Sequence, residues 1–336
     1  MSDNQSTKQE LNQMICGYWI SQAIYVAAEI GVADLLAGGP QTVRELSAKT
    51  NTHNEALYRL LRALSSVGIF AETDHHRFSL TPLAENLLSD IPGSHRQFAI
   101  MMGAECYQAW GHLLHSVRTE EQAFHKRFGM PIFQYLTENP ERGQLFDAAM
   151  TGVHGGETDP MIDAYDFSQF QTVVDIGGGN GLVLSAILNR HSALKGVLFD
   201  LPGVVERTRP DIVNTELGDR CQIVGGDFFT SVSTGGDAYI MRHILHDWDD
   251  YQAVAILSNC RKAMNPGGKV LVVETVIPPG NDPNFGKWLD LMMLAIGGRE
   301  RTEEQYNRLF SEAGLTLNRI IPTSAEISVI EGARAA

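Results

Sequence analysis

Cysteine and basic residues are both scarce in this sequence of 336 residues. The four cysteines form no Cys-x-x-Cys pair and no spacing typical of zinc ligands or of a disulfide framework, so we expect reduced thiols. Lysine and arginine number 26 against 40 acidic residues, which gives a net charge of −14. Because phosphate backbones and anionic membrane surfaces repel such a protein, we expect neither a nucleic acid nor a membrane as its partner.

Long apolar runs are also missing. No run approaches the roughly 18 residues that a membrane-spanning helix requires. The first ten residues, MSDNQSTKQE, are polar and lack the apolar region of a signal peptide. Together with the reduced cysteines, these shortages predict a cytoplasmic protein. The hydrophobic content of 43% predicts folded domains with full-sized cores.

The sequence up to about residue 100 has the pattern of a winged helix. Apolar residues at helical spacing between positions 15 and 30 predict one long amphipathic helix. The capping box Thr42-x-x-Glu45 begins a short helix, and the leucine-rich face of residues 57–67 predicts another. Residues 69–70 and 78–80 then predict a small β-hairpin, which would be the wing.

A winged helix either reads DNA or serves as a packing and dimerisation module. DNA recognition needs clustered positive charge. The first 100 residues hold seven lysines and arginines against ten acidic residues, and the helix at 57–67 offers only Arg59 and Arg62, offset by Glu55. We therefore expect the apolar face between Leu11 and Ile30 to meet a second copy of the chain in a homodimer.

Beyond residue 170, short apolar strands alternate with helical stretches. This alternation predicts an α/β fold with a doubly wound parallel sheet, whose ligands bind at the carboxyl ends of the strands. The last two predicted strands are instead antiparallel, which is typical of methyltransferase sheets and unusual in dehydrogenase sheets. The predicted strands are 172–176, 196–200, 221–224, 238–241, 269–274, 315–321 and 326–330, with a helix at 182–188.

A glycine-rich loop, Asp175 to Gly181, follows the first of these strands and precedes the helix. Glycines permit close approach of a ligand, and the helix N-terminus offers free N–H groups to an anion. The loop fits Asp-x-Gly-x-Gly-x-Gly better than the dinucleotide fingerprint, whose sixth position is Leu182 here. Asp200 ends the second strand and can accept both hydroxyls of a ribose, and Asp227, after the third, can accept from an adenine amino group. A tight turn and plain strand-end caps would also explain these features.

Two histidines follow the fourth strand, in the segment from Arg242 to Asp250. Histidine is the natural base for a phenolic proton near neutral pH, although either one can also be a packed loop residue. Glu274 ends the fifth strand and Glu300 lies further on, and both can converge on one crevice, where a carboxylate would orient an imidazole. Glu300 can instead form a surface ion pair with a neighbouring arginine, 299 or 301. The three aspartates of the segment fit the first turn of a helix better than a metal site, and we predict no metal.

Together these motifs resemble the caffeic-acid-type O-methyltransferases of plants and the small-molecule O-methyltransferases of bacteria. The resemblance spans about residues 15–332 and rests on VVDIGGGNG at 173–181, FDLP at 199–202, GGDFF at 225–229, HDW at 246–248 and GGRERT at 297–302. It implies a Rossmann-like class I methyltransferase sheet with a C-terminal antiparallel hairpin, preceded by a winged-helix dimerisation domain. It also implies S-adenosylmethionine as cofactor, S-adenosylhomocysteine as product, and an aromatic small molecule of secondary metabolism as acceptor.

The resemblance also implies the residues of the site. His246 looks like the general base, which would take the proton of an aromatic hydroxyl, with Glu274 and Glu300 beside it. The implied cofactor contacts are Asp175, Gly177, Gly179, Asp200, Leu201, Asp227, Phe228, Arg242 and Trp248. The candidates for the acceptor pocket, each of which can also be an ordinary core residue, are Phe124, Phe128, Phe133, Phe146, Met150, Met292 and Met293.

We predict three segments along the chain. A helical winged-helix dimerisation domain occupies residues 1–115, a helical linker that contributes to the acceptor pocket occupies 116–168, and the catalytic domain occupies 169–336. Three alternatives stay open. The first is an enzyme of the same fold that methylates carbon or nitrogen or catalyses another reaction with this cofactor. The others are a winged-helix regulator with a ligand-sensing domain and an NAD enzyme.

Overall fold

The computed structural model describes residues 2–213 and 215–335, and their contacts divide them into two compact units. The first unit comprises the chain up to residue 114 together with residues 123–155. The second unit comprises residues 115–122 together with the chain from residue 156 onward. The predicted linker at 116–168 is therefore shared between the two units.

The first unit begins with the predicted winged helix. Its wing is a three-stranded sheet whose last strand pairs antiparallel with both others. The predicted capping box is present, because Thr42 Oγ1 accepts the Glu45 N–H at 3.3 Å and Glu45 Oε2 accepts the Thr42 N–H at 2.7 Å. The elements are α1 (Ser2–Ile15), α2 (Tyr18–Glu29), α3 (Val32–Leu36), β1 (Gln41–Thr42), α4 (Val43–Thr50), α5 (Asn54–Ser65), β2 (Phe70–Thr73), β3 (Arg77–Leu80) and α6 (Pro82–Glu85).

The long helix predicted across residues 15–30 is in fact interrupted, because the chain turns at Cys16 and Gly17 between α1 and α2. Glycine costs about 1 kcal/mol relative to alanine inside a helix. At this point the Gly17 N–H donates to the Met14 carbonyl, three residues back instead of four. The predicted helix is present as α2 but begins at Tyr18, three residues later than predicted, and the apolar face persists across the turn, where Trp19 is 61% exposed.

The rest of the first unit is helical. A π-helical turn, Met102–Cys106, brings Gly103 against Tyr25 of α2. A Cβ atom at Gly103 would lie 2.2 Å from the Tyr25 Cβ, so only glycine fits this contact. The helices are α7 (Arg96–Met101), α8 (Tyr107–Trp110), α10 (Ala123–Phe128), α11 (Ile132–Glu138) and α12 (Pro140–His154), while α9 (Leu113–Thr119) crosses the division between the units.

The second unit alternates strands and helices as predicted. A short parallel pair, β9 with β10, lies outside its main sheet. The elements are α13 (Thr158–Ala164), β4 (Thr172–Ile176), α14 (Leu182–Arg190), β5 (Lys195–Asp200), α15 (Pro202–Val213), β6 (Cys221–Gly225), β7 (Ala238–Arg242), α16 (Asp250–Ala263), β8 (Lys269–Glu274), β9 (Val276–Ile277), α17 (Phe285–Ile296), β10 (Arg301–Thr302), α18 (Glu303–Glu312), β11 (Leu315–Pro322) and β12 (Ser328–Arg334).

The main sheet has seven strands in the order β6, β5, β4, β7, β8, β12, β11. The first five are parallel, and β12 runs antiparallel to both β8 and β11. The predicted doubly wound sheet and antiparallel hairpin are thereby confirmed. The last strand begins at Ser328 rather than at 326, because a turn that Thr323 closes by donating to the Ile327 carbonyl at 2.8 Å precedes it.

Apolar cores cover both faces of this sheet. Val173 of β4 packs with Ile187 of α14 on one face, and Val174 packs with Ile256 of α16 and Phe310 of α18 on the other. With both faces covered, the carboxyl ends of the strands are the edge where a ligand can bind, above all where the strand order reverses between β4 and β7. In the described ranges no helix is both long and apolar enough to cross a membrane.

Candidate active site

The glycine loop between β4 and α14 is a tight turn with one open position. Gly177, Gly179 and Gly181 have φ angles of 68°, 56° and 76°, in the left-handed region that favours glycine. A Cβ atom at Gly177 would lie 2.4 Å from the Ile244 side chain, whereas a Cβ atom at Gly179 would meet no heavy atom within 4 Å. The loop therefore packs against the segment after β7 and leaves open space beside the Cα atom of Gly179, where a ligand can approach closely.

Asp200 is the last residue of β5 and Asp227 follows the neighbouring strand β6, and both carboxylates accept hydrogen bonds from nearby backbone. Asp200 Oδ2 accepts the Gly179 N–H at 2.8 Å, and its Oδ1 accepts the Leu201 N–H at 2.6 Å. Burial raises the pKa of Asp200. Asp227 Oδ1 accepts the Phe229 N–H at 2.9 Å. Both acids thus act as caps, an alternative that the sequence left open, while each carboxylate keeps further lone pairs for a ligand hydroxyl or amino group.

Three aromatic rings pack edge to face beside Asp227. The ring of Phe229 lies 4.8 Å from those of Phe228 and Trp248, which are 6.0 Å from each other. The Asn259 side-chain amide donates to the carbonyls of Phe228 and Phe229 at 2.9 and 3.0 Å and so fixes the loop. Phe228 and Trp248, both predicted cofactor contacts, are therefore close together.

Asp175 of β4 is buried and Arg242 of β7 is half-buried, and these two charged residues lie on adjacent strands. Asp175 is 2% exposed, and within the described ranges its Oδ2 has no hydrogen-bond partner. Burial raises the pKa of Asp175 to about 7 and lowers that of Arg242, which donates to Thr158 Oγ1 at 2.9 Å. Opposite charges of this kind suit the amino and carboxylate groups of an amino acid, so these residues fit the methionine part of the predicted cofactor.

His246 lies in a short 3₁₀ turn, Leu245–Asp247, and is 8% exposed. Its Nδ1 is 2.7 Å from Oε1 of Glu300, a residue 54 positions away that is itself 2% exposed. We assign the Nδ1 proton to this hydrogen bond, which leaves Nε2 as the nitrogen able to accept a proton. The ring is therefore fixed in the orientation that a general base needs.

Glu274 is fully buried at the end of β8 and binds the backbone of the turn instead of the imidazole. Its Oε1 accepts the N–H groups of Ile244 and His246, both at 3.1 Å, and its Oε2 accepts the Tyr306 hydroxyl at 2.5 Å. Burial raises the pKa of Glu274. Both carboxylates predicted from the sequence thus converge on His246, but Glu300 holds the ring and Glu274 holds the turn.

The alternative of a surface ion pair for Glu300 is wrong. Arg301 is fully buried and donates to the backbone carbonyls of residues 245 and 248, at 2.9 and 2.8 Å, and it pairs with Asp250. Arg299 pairs with Glu120 at 3.1 Å. Arg301 therefore clamps the segment that carries His246, a function that nothing in the local sequence indicated, because arginine is rarely buried.

Two further supporting residues were not predicted. Asp290 of α17 accepts the backbone N–H of Glu300 at 2.9 Å, and Tyr306 of α18 donates to Glu274. Both act at long sequence separation on residues that themselves hold His246. The only local signal was the apolar face of each helix, which does not single out a polar residue.

Three carboxylates surround the His246 imidazole. Burial alone lowers the pKa of His246, but the charges of Asp247, Glu300 and Glu274 outweigh burial and raise the pKa to about 10. Asp247 Oδ1 lies 3.6 Å from Nε2, and burial raises the pKa of Asp247 to about 6. The site therefore stabilises the imidazolium, which makes the neutral imidazole a strong base.

The aspartates after His246 have separate functions. Asp249 caps α16 by accepting the Gln252 N–H at 2.8 Å, and Asp250 is the first residue of that helix, as predicted. The prediction that Asp247 also belongs to the first turn of the helix was wrong. The 3₁₀ turn ends at Asp247, ahead of the cap, and directs its carboxylate to the imidazole.

The candidates for the acceptor pocket lie in both units. In the first unit Phe124 is fully buried, with its ring 4.5 Å from that of Phe128. A cavity lined by Phe124 and Phe146 has a volume of about 10 Å³, which is enough for a water molecule but not for an aromatic ring. The other candidates differ in burial: Phe133 is exposed, Phe146 and Met150 are half-buried, and Met292 and Met293 of α17 are buried.

Comparison with known proteins agrees with this geometry. Family models described as the O-methyltransferase domain and the O-methyltransferase dimerisation domain match residues 110–316 and 12–90. A phenazine O-methyltransferase of Lysobacter antibioticus is 47% identical over 322 residues, which cover 96% of this chain and 94% of that protein. An 8-amino-8-demethylriboflavin N,N-dimethyltransferase of Streptomyces davaonensis is 34% identical, with 96% and 94% covered. The crystal structure of human N-acetylserotonin methyltransferase with S-adenosylmethionine has a TM-score of 0.89 and 27% identity, with 98% of both chains covered.

The sheet order, the glycine loop and the strand-end acids define a class I methyltransferase that depends on S-adenosylmethionine. The chain belongs to the O-methyltransferase family whose catalytic domain follows a dimerisation domain. The predicted family, fold class, enzyme class and cofactor are thereby confirmed, and the regulator and NAD-enzyme alternatives are not supported.

Proposed function

We propose that this enzyme methylates a hydroxyl group of an aromatic small molecule, with His246 as the general base. The observation that carries the proposal is the buried pair of His246 Nδ1 and Glu300 Oε1 at 2.7 Å. An imidazole fixed in this way presents Nε2 to an acceptor hydroxyl and becomes an imidazolium beside a carboxylate when it takes the proton. A phenol needs this help, because its unperturbed pKa of about 10 keeps it protonated near neutral pH.

The surrounding residues act through His246. Glu300 sets the tautomer of the imidazole and stabilises the charge that forms on it, while Glu274 and Arg301 fix the turn. The base accepts a proton only when it is neutral, and three carboxylates favour its protonated form. We therefore expect the rate to rise with pH until His246 is deprotonated.

The cofactor would be held by the residues at the ends of β4 to β7. Asp200 would accept from the ribose hydroxyls and Asp227 from the adenine amino group, with Phe228 and Trp248 against the base and Asp175 near the amino acid end. When bound, S-adenosylmethionine supplies an activated methyl group on a sulfonium sulfur. Exclusion of water from such a site strengthens the interactions of charged groups, which favours a reaction in which charge is neutralised.

Methylation of nitrogen is the second candidate, because one relative of this chain is named an N,N-dimethyltransferase. A neutral amine carries a free lone pair and can attack a methyl group before it loses a proton, so it does not need a base at the start of the reaction. The His246–Glu300 pair therefore favours a hydroxyl acceptor.

The relatives support an aromatic acceptor, as the name of the phenazine O-methyltransferase indicates. We extend the proposal to a hydroxylated polycyclic aromatic compound, with Met292 and Met293 of α17, in the same unit as His246, as candidates for its pocket. We also propose a homodimer, since α1 and α2 expose a continuous series of large apolar side chains within the family's dimerisation domain. These are Leu11, Met14, Ile15, Tyr18, Trp19 and Ile20, which are between 46% and 77% exposed.

Product analysis tests this proposal. The enzyme would be incubated with methyl-labelled S-adenosylmethionine and matched hydroxy and amino derivatives of phenazine and naphthoate, and each product analysed by mass spectrometry and NMR. We expect the label on oxygen of a hydroxylated ring. Label found on nitrogen alone would replace the O-methylation proposal with the second candidate.

A further inference from the structure

His243 is the second histidine of the segment after β7, and the proposed mechanism does not use it. Its φ angle is 53°, in the left-handed region that few residues other than glycine adopt and that β-branched residues avoid. Its backbone N–H donates to the Val273 carbonyl at 3.2 Å, and this hydrogen bond continues the pairing of β7 with β8. The chain therefore leaves the sheet at His243 through a backbone conformation that needs support.

Glu157 contacts the His243 side chain. Its Oε2 lies 2.8 Å from His243 Nε2, and the two side chains are 17% and 9% exposed. Since the carboxylate engages Nε2, this imidazole is not oriented as the base. The ring of His243 nevertheless lies only 5.2 Å from that of His246.

The residues after His243 depend on the direction in which the chain leaves the sheet. The side chain of Ile244 packs toward Gly177 in the glycine loop. The N–H groups of Ile244 and His246 both reach Glu274 at 3.1 Å. A change in the conformation of residue 243 would therefore displace the turn that carries the base, through the two N–H groups that Glu274 holds.

We propose that the Glu157–His243 pair is a positioning device for His246. It fixes the left-handed exit from β7, so that three carboxylates hold the segment: Glu157 at its start, Glu274 at its backbone and Glu300 at the imidazole. The proposal rests on the function proposed above for His246. It makes His243 and Glu157 positioning residues, which act on the acceptor only through the base.

Substitutions at both residues test the proposal. His243→Val introduces a side chain that avoids the left-handed region, and Glu157→Ala removes the contact while leaving the backbone alone. Glu157→Gln is the conservative variant, because its amide oxygen still accepts a hydrogen bond from Nε2. The first two should lower kcat by about 10²-fold, the scale on which a misplacement of about 1 Å acts, while Glu157→Gln should restore most of the rate.

His76 provides a matched control in the wing. It has a φ angle of 54° and its Nδ1 lies 3.2 Å from Glu72, so it is also a left-handed histidine paired with a glutamate. His76→Val should show the general cost of such a substitution in the melting temperature while kcat stays unchanged. The kcat of all variants would be measured with a hydroxylated aromatic that the wild type methylates, and the Kd of S-adenosylhomocysteine by calorimetry.

We expect a loss of kcat in His243→Val and Glu157→Ala, with the Kd of S-adenosylhomocysteine changed less than about threefold. The double variant should be no slower than either single variant, because the two residues act as a unit.

Four results would each overturn the proposal. These are wild-type kcat in either variant, parallel losses of kcat and cofactor affinity, losses that multiply in the double variant, and no recovery of the rate in Glu157→Gln. His246→Ala separates the two claims. If His246→Ala is inactive while His243→Val is fully active, only the positioning proposal fails. If His246→Ala is fully active, the assignment of His246 as the base is wrong.

Discussion

Replacement of Glu300 by glutamine should shift the pH dependence of methyl transfer toward acid. Glu300 Oε1 lies 2.7 Å from His246 Nδ1, and both side chains are buried. Glutamine has nearly the same shape and keeps an oxygen that accepts the Nδ1–H, but it lacks the negative charge. The substitution therefore destabilises the protonated imidazole more than the neutral imidazole, and the pKa of His246 falls.

The size of this shift follows from the contact. A hydrogen bond to a charged partner contributes about 1.5–3 kcal/mol, against about 0.5–1.5 kcal/mol for a neutral one. The difference of about 1–2 kcal/mol corresponds to roughly one pKa unit at 1.36 kcal/mol per unit. From a pKa of about 10 in the wild type, the variant should thus titrate about one unit lower. Its maximal rate should fall by about tenfold, because a base of lower pKa is weaker.

The assay is the pH profile of kcat/KM with a hydroxylated aromatic acceptor, from pH 6 to 10.5. Below the pKa of His246 the neutral base is the minor form, so log kcat/KM should rise by about one per pH unit and level off earlier in the variant. Glu303→Gln is the matched control, because it is the same substitution at an exposed residue three positions away, at the start of α18. A profile of Glu300→Gln that levels off at the same pH as the wild type, or at a higher pH, would refute the assignment of Glu300 to the imidazolium.

Three further predictions concern the cofactor, the dimer and the hairpin. Asp200→Asn removes a charged acceptor and should weaken binding of S-adenosylhomocysteine by about 1.5–3 kcal/mol in calorimetry, and unchanged affinity would argue against a ribose contact. Trp19→Glu puts a charge on a side chain that is 61% exposed and should convert dimers to monomers in light scattering at micromolar concentration, whereas an intact dimer would place the interface elsewhere. Although burial opposes ionisation of Glu331, hydrogen bonds from Asn318, Tyr165 and Arg319 lower its pKa from 4.5 to about 2. Its stabilising effect is therefore complete above pH 4.5 and lost as the pH falls to 2, so Glu331→Gln should be less stable in urea at pH 7 and the difference should shrink in acid.

The sheet and the cofactor edge could be predicted because their signals are local. A short apolar strand followed by a glycine loop and a helix can be recognised within about 15 residues of sequence. An acid at a strand end lies at the same edge as that loop in any parallel sheet. Asp200 therefore reaches the Gly179 N–H as the order of the motifs suggested, without knowledge of tertiary packing.

The pairing of His246 with Glu300 was harder to predict, because it depends on a turn that is distant in sequence. Gly298 has a φ angle of 110°, and a Cβ atom there would lie 2.1 Å from the His246 carbonyl oxygen. Only a glycine lets the chain pass so close, and the next residue, Arg299, then donates to that carbonyl at 2.7 Å. The sequence shows that residue 298 is a glycine, but it does not show that the His246 carbonyl is the group that lies against it.

Other features escaped prediction for related reasons. Apolar spacing continues through Cys16 and Gly17, so periodicity alone did not reveal the break between α1 and α2. Arg301 belongs to a residue type that is seldom buried, and its burial depends on carbonyls and an aspartate from a distant segment. Such long-range satisfaction of polar groups is a property of the folded chain and not of any local pattern.

The most direct test of the account is the rate of methyl transfer in His246→Ala under single-turnover conditions, with the affinity for S-adenosylhomocysteine measured alongside. Removal of a general base typically costs about 10²- to 10⁴-fold in rate. We predict a loss of that size with cofactor affinity changed by no more than a few-fold, because His246 lies outside the set of residues assigned to the cofactor. A variant that transfers the methyl group to the acceptor at the wild-type rate would contradict the central claim that His246 takes the acceptor's proton.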